Sequence, residues 1–226
     1  MNKNITIIIP IYNEKDNIRV LLEEIIKMYK WINILVVNDW SIDNVELLLK
    51  KINYKRFNYI NNVLNKWLTY SIIKWIKNVN TNYFIVMDWD LQHPVKYINN
   101  FILLLEKWYD VVIWNRKNIF FKNNYYRNLF SKLWNILVNF KLWNNKIKDP
   151  LTWFFWGNTK FFINNISINK KRFINKWYKF LFEFLKCIDI KKIKIYNFYF
   201  EFLNRRFWKS KLWIREYLSF ILWLIK

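Results

Sequence analysis

Hydrophobic and polar positions switch repeatedly between two periods along the first half of the chain. Ile5 to Ile9 is a β-branched run closed by Pro10, and from Asp16 to Tyr29 the apolar residues fall at Ile18, Leu21, Leu22, Ile25 and Ile26. The first pattern predicts a strand and the second a helix with one buried face. The alternation continues with a strand over Ile32 to Val37, a polar turn at Asn38-Asp39-Trp40-Ser41, and a helix from about Asp43 to Lys51. A short strand is predicted over Phe57 to Ile60, a helix over Leu68 to Lys77 and a fourth strand over Tyr83 to Met87. Pro94 to Lys107 suits a helix with proline in its first turn, and Val111 to Ile113 a fifth strand. Strands alternating with helices predict parallel strands covered on both faces, an α/β doubly wound sheet. Such sheets bind ligands at the carboxyl ends of their strands.

From Phe120 to Trp143 the pattern changes to helix-length segments that mix Phe, Tyr, Leu and Trp with Lys, Arg and Asn. A basic, aromatic amphipathic surface can lie in a membrane interface; a packed helix with a solvated basic face fits the same residues. Lys192 to Phe200 reads as a late strand, and the segment of about 211–226 ends in an amphipathic helix from Ile214 to Lys226. The late apolar run from Tyr217 to Ile225 falls well short of the roughly 20 residues that span a bilayer, and Met1 to Pro10 is too short for a signal peptide. The expectation is therefore a single catalytic domain over 1–226 with interface helices at about 120–143 and 211–226, not an integral membrane protein.

Charge narrows the partners. The chain carries 38 Lys plus Arg against 16 Asp plus Glu, a formal +22, which favours ligands bearing phosphate. Nucleic acid, anionic lipid headgroups and nucleotide-sugars all qualify. Cys187 is the lone cysteine, so no intrachain disulfide can form.

One count is abnormal. Among 226 residues there are 15 Trp, one Gly and no Ala, where an average protein of this length has about 16 Gly. Lys, Asn, Ile, Phe and Tyr abound, as in a very AT-rich gene, and in such a gene UGG and GGN codons should both be scarce. The expectation is that most of these tryptophans are UGA codons meant as glycine; an aromatic-rich protein with literal Trp is the alternative.

Chemistry collects at the predicted strand ends, with Asp39 after the second strand and Asp88-Trp89-Asp90-Leu91-Gln92 after the fourth. Two carboxylates at i and i+2, with an amide oxygen close by, can present oxygens to a hard divalent cation such as Mg²⁺ or Mn²⁺. A single Asp-x-Asp is more often a solvated acidic turn, but this one follows a strand in a chain poor in acids.

The segments Ile9-Pro10-Ile11-Tyr12-Asn13-Glu14, Val36-Val37-Asn38-Asp39-Trp40-Ser41, Met87-Asp88-Trp89-Asp90-Leu91-Gln92-His93-Pro94 and Asp110-Val111-Val112-Ile113-Trp114-Asn115-Arg116 resemble family 2 glycosyltransferases. Asp149-Pro150-Leu151-Thr152-Trp153-Phe154-Phe155 and Asn204-Arg205-Arg206-Phe207-Trp208-Lys209-Ser210-Lys211-Leu212 narrow the resemblance to the polyprenyl-phosphate, dolichol-phosphate mannose synthase-like branch. Six motifs in order, from about residue 4 to 215, are far more specific than any one.

The resemblance implies a GT-A fold and an inverting transfer of a mannose- or glucose-class sugar from a nucleotide-diphosphate sugar to a polyprenyl phosphate. It implies that Pro10, Tyr12, Glu14 and Asp39 line the nucleotide pocket and that Asp88 contacts the nucleotide-sugar. Asp90 and Gln92 would bind Mg²⁺ or Mn²⁺, and Asp88, Asp90 and Arg116 would form the catalytic set. Arg116, Arg205 and Lys211 would grip phosphates, the Arg fork in bidentate fashion and Lys as a point charge. Asn38 departs from the commoner acidic residue there. His93, the only histidine, is read as the start of a helix and not as a catalyst. In the resembled family, Trp40, Trp67, Trp75, Trp89, Trp114, Trp153 and Trp208 occupy positions that are commonly glycine or another small residue.

The expected location is cytoplasmic and peripheral, on an anionic membrane surface at the inner face of the cell membrane, with room for a separate membrane-anchoring subunit. The nearer alternative is a family 2 transferase with another lipid or glycan acceptor. A basic nucleic-acid-binding protein explains the charge and the aromatics but not acids and arginines at successive strand ends, so nucleic acid is not an expected partner.

Overall fold

β-Branched runs with no polar interruption become strands only when both of their faces are covered, and the first strand meets that condition at every residue. In the computed structural model, which describes residues 4–62, 68–104, 107–117, 136–140, 142, 146–173 and 179–201, β1 (Ile5–Ile11) is buried throughout and lies inside a seven-stranded sheet. The remaining strands are β2 (Asn33–Asn38), β3 (Phe57–Asn61), β4 (Tyr83–Val86), β5 (Val111–Lys117), β6 (Phe155–Asn158) and β7 (Ile195–Glu201). Their order is β3-β2-β1-β4-β6-β5-β7. β6 runs antiparallel to both its neighbours, and every other pairing is parallel.

The period of two in the strands divides the core. Ile5, Ile7, Ile9 and Ile11 of β1, with Ile34 and Val36 of β2, face one cluster; Ile8, Leu35 and Val37 face the other. The first cluster takes in α1 (Lys15–Met28), α2 (Val45–Leu49) and α4 (Ile98–Leu104). The second takes in α3 (Leu68–Asn78), α5 (Thr159–Ile168) and α6 (Phe180–Cys187). Helices on both faces therefore cover a mainly parallel sheet, as the alternation predicts. Each fully buried Ile, Val or Phe contributes about 1.5–3 kcal/mol relative to exposure.

Some boundaries shift for local reasons. The helix expected over Asp43 to Lys51 shortens to Val45–Leu49, because Asn44 sits in the left-handed region at φ 57°. The helix expected from Pro94 begins as a 3₁₀ turn over Val95–Tyr97, since Pro94 itself is extended. The late strand starts at Ile195, after a 3₁₀ turn over Ile190–Lys192. β6, α5 and α6 have no counterpart among the sequence expectations. In the segments expected at about 120–143 and 211–226, residues 136–140 are helical, while residues 118–135 and 202–226 lie outside the described part.

Candidate active site

Parallel strands bring their carboxyl ends to one edge, and three of the polar segments singled out above follow such ends. β1 pairs with β2 as far as Ile11 and Asn38, and the Asp39 amide donates to the Ile11 carbonyl over 2.9 Å. On its other side β1 pairs with β4 only from Ile5 to Ile8. Beyond that point the Met87 amide donates to the Ile8 carbonyl at 3.1 Å, and the chain after β4 then leaves the ladder. Pro10, which has no N–H to give, lies past the end of the β4 pairing and keeps its place opposite Val37. The chain runs from β1 to β2 on one side and from β3 to β4 on the other, so this gap is a topological switch point, the place where doubly wound sheets bind ligands.

On the β2 side the carboxylate of Asp39 is buried. Asn62, in the chain just after β3, donates from its side-chain amide to Asp39 Oδ1 at 2.8 Å and to Ser71 Oγ at 2.6 Å. Asn38, the departure from the acidic residue, is satisfied as an amide: it donates to Asn61 Oδ1 at 2.9 Å and accepts from the Ser41 amide at 3.1 Å. The loop after β1 is tied to this turn by two further bonds. Asn13 N–H donates to Ser41 Oγ at 2.9 Å, and the Ile42 amide donates to Asn13 Oδ1 at 2.7 Å. Glu14 stands at the residue before α1, where its carbonyl accepts from the Ile18 amide at 3.0 Å; its buried carboxylate accepts from Asn17 Nδ2 at 2.9 Å. Tyr12, between these anchored residues, keeps 40% of its surface exposed.

On the β4 side the loop Asp88 to Gln92 is folded tightly upon itself. The Trp89 amide donates to Asp88 Oδ1 at 3.0 Å, and the Gln92 amide donates to Asp90 Oδ1 at 3.1 Å. Leu91 between them has φ 61°, a sparsely populated conformation for a branched side chain and one that gathers at functional sites. Asp90 and Gln92 are both buried. The donors there are all oxygens, which fits a hard divalent cation. Among the described residues no group of three or more His, Cys, Asp or Glu side chains is gathered to hold a metal. A set of one or two carboxylates is what Mg²⁺ uses when water and substrate phosphates complete its shell.

The reversed strand β6 brings the segment before it to this same edge. Phe155 is paired with both Val86 of β4 and Ile113 of β5, so Thr152 to Phe154 lie beside the carboxyl ends of those strands. Thr152 Oγ1 accepts from the Phe154 amide at 3.1 Å, and Lys179 Nζ donates to the Leu151 carbonyl at 2.8 Å. His93 is buried with its ring stacked on Phe154, centroids 4.8 Å apart. It precedes the helix that the sequence reading has it start, since the 3₁₀ turn opens at Val95 after an extended Pro94.

The structure thus brings together Pro10, Tyr12, Glu14, Asp39, Asp88, Asp90 and Gln92. Arg116 is paired through its backbone with Phe200, and its side chain lies outside the described residues, as do Arg205 and Lys211 entirely. Asn62 and the Asn13–Ser41 tie are missing from the sequence reading. Asn62 follows a weakly patterned strand in an Asn-rich chain, and nothing in its spacing marks it.

Residues 6–178 match the family described as Glycosyl transferase family 2. The dolichol-phosphate mannosyltransferase of Pyrococcus furiosus is 32% identical over 98% of this chain and 64% of that protein. The undecaprenyl-phosphate 4-deoxy-4-formamido-L-arabinose transferase of Photorhabdus laumondii is 29% identical over 60% of this chain and 43% of its own length. Against the curated relatives that it matches, the chain spans 42% to 64% of their length. The mannosyltransferase PcManGT from Pyrobaculum calidifontis, solved in complex with GDP-Man and Mn²⁺, superposes with a TM-score of 0.58 at 12% identity, covering 86% of this chain and 54% of that one. At that identity the likeness is one of fold, and the fold is of the GT-A type.

Proposed function

This chain belongs to glycosyl transferase family 2, and from that premise we propose that it moves a mannose- or glucose-class sugar from a nucleotide-diphosphate sugar to a polyprenyl phosphate, with inversion. The observation that carries the reading is the meeting of Tyr12 to Glu14, Asp39 and Asp88 to Gln92 around one switch point. Relatives named for dolichol phosphate and undecaprenyl phosphate support the acceptor. A fold neighbour named with GDP-Man and Mn²⁺ supports the donor and the cation.

In this reading Pro10, Tyr12, Glu14 and Asp39 line the nucleotide pocket, and Asp88 contacts the donor. Asp90 and Gln92 would hold Mg²⁺ or Mn²⁺, which when bound supplies Lewis-acid neutralisation of the donor diphosphate. Arg116, Arg205 and Lys211 grip the phosphates of donor and acceptor. An acceptor phosphate oxygen, already anionic at neutral pH, attacks the anomeric carbon and forms the new C–O bond. The bond from that carbon to the diphosphate oxygen breaks, and the diphosphate leaves with the electron pair. No proton has to be removed, so the reaction asks for no strong base, in keeping with a stacked and buried His93.

Among the described residues no helix is long and apolar enough to cross a membrane, while Ile136, Leu137 and Phe140 are exposed on the helical stretch over 136–140. That apolar surface and the +22 charge suit peripheral attachment to an anionic membrane at the inner face of the cell. A membrane-anchoring subunit is a further partner that this arrangement accommodates.

The experiment is Asp90→Asn, assayed for transfer with saturating donor and Mg²⁺ or Mn²⁺. The expected result is a loss of turnover on the order of 100-fold with the fold intact, because an amide offers a hard cation less charge. Near-normal turnover would contradict the role given to Asp90.

A further inference from the structure

We infer that positions 40, 108 and 114 are glycine in the functional polypeptide, and that the tryptophans there are UGA codons decoded as glycine by the cell that makes the protein. The inference stands on backbone and packing, and is independent of the transferase reading.

Five described residues have positive φ: Asn13, Trp40, Asn44, Leu91 and Trp108. The two asparagines are ordinary in the left-handed region, and a bulky aromatic is not. Trp40 has φ 63° in the turn between β2 and α2, immediately after Asp39. Trp108 has φ 52° in the turn between α4 and β5, a conformation that glycine adopts without steric cost. Neither indole has an anchoring role that would offset the strain, since 51% of Trp40 and 76% of Trp108 are exposed.

Position 114 makes a different demand. Trp114 lies in β5 with no exposed surface, and its ring centroid is 3.1 Å from that of Phe101 at an angle of 82°. Aromatic pairs settle at about 4.5–7 Å, so two rings at that separation interpenetrate. Phe154 stacks on the face of the indole at 4.3 Å and Phe198 lies edge-on at 5.4 Å, so the ring is hemmed in from further directions. Its Nε1 is buried without a hydrogen-bond partner, unusual for an indole in a core. Trp31, by contrast, meets Tyr29 edge to face at 6.5 Å.

The one encoded glycine shows what this fold asks of such positions. A Cβ at Gly157 would overlap Phe162 Cε2 and come within 2.8 Å of Phe84 Cζ. A chain with that need and a single glycine, yet 15 tryptophans and no alanine, has its glycines elsewhere under another name.

Trypsin cleavage after Lys30 and Lys50 releases a peptide containing position 40, and cleavage after Lys107 and Arg116 releases one containing both 108 and 114. Tandem mass spectrometry of these peptides from the protein purified from its own host should read glycine at all three positions. In parallel, the recombinant chain with literal tryptophans is compared with the same chain carrying Trp40→Gly, Trp108→Gly and Trp114→Gly; the glycine chain should unfold cooperatively and at a higher temperature. Tryptophan at any of the three positions in the native peptides would overturn the inference, as would a glycine chain that melts at or below the tryptophan chain. Both readouts report residue identity and folding, so they do not depend on whether the protein transfers a sugar.

Discussion

The Asn62 side-chain amide donates to Asp39 Oδ1 across 2.8 Å, so that an amide following β3 fixes a carboxylate following β2. The same amide reaches Ser71 Oγ on α3, and the carboxylate is thereby locked between a strand end and a helix. Hydrogen bonds to charged groups are worth about 1.5–3 kcal/mol. Asn62→Ala should therefore raise the donor KM by a factor on the order of 10 with a smaller effect on kcat. Steady-state kinetics with varied nucleotide-sugar checks this; an unchanged KM would separate Asp39 from donor binding.

A second expectation concerns packing under β6. Gly157 faces Phe162 of α5 and Phe84 of β4 with no room for a methyl group. Gly157→Ala should cost about 1–3 kcal/mol, the usual range for overpacking. Adding Phe162→Leu to it should return part of the loss. Denaturant unfolding of the single and double variants measures both steps.

The legible part of the fold was the part written in regular periods. β1, β2, β4 and β5 announce themselves by apolar runs, and α1 by Ile18, Leu21, Leu22 and Ile25 on one face. β6 did not. It is four residues, Phe155–Asn158, including the glycine, and it runs against its neighbours, so only tertiary pairing identifies it as a strand. α6 is only eight residues and almost wholly buried, Glu183 included, and an apolar stretch that short cannot be told from a buried strand by its pattern. Of the site, Asp39 and Asp88 to Gln92 could be read from their places after strands. Asn62 could not, because its partner lies 23 residues away.

Cys187 offers a pH dependence. Burial, reinforced by the Glu183 carboxylate, pushes its thiol from an ordinary 9.0 up to about 11. A pKa raised on folding contributes stability that is complete below the ordinary value and is lost as pH rises through the folded one. Wild type should thus lose more stability between pH 9 and pH 11 than Cys187→Ala does. At pH 8 alkylation of native Cys187 should run about 100-fold slower than in the unfolded chain, since the thiolate is the nucleophile. Thermal melts across that range and timed alkylation with mass detection test the two halves.

Attachment to membranes should follow charge. Each Lys or Arg near an anionic surface adds about 1 kcal/mol, an attraction that salt screens. Co-sedimentation with vesicles rich in anionic lipid should therefore be strong at low salt and fall as salt rises. Binding equal on neutral and anionic vesicles, and indifferent to salt, would contradict an electrostatic contribution.

The most direct test is the product itself. The protein purified from its own host is incubated with Mg²⁺ or Mn²⁺, a polyprenyl phosphate and, in separate reactions, GDP-mannose, UDP-glucose and other nucleotide-sugars, and the lipid fraction is analysed by mass spectrometry. The account predicts a hexosylated polyprenyl phosphate from at least one donor, dependent on the cation and lost in Asp90→Asn. Donor consumption with no sugar on the lipid, or transfer undiminished by removing the cation, would contradict it.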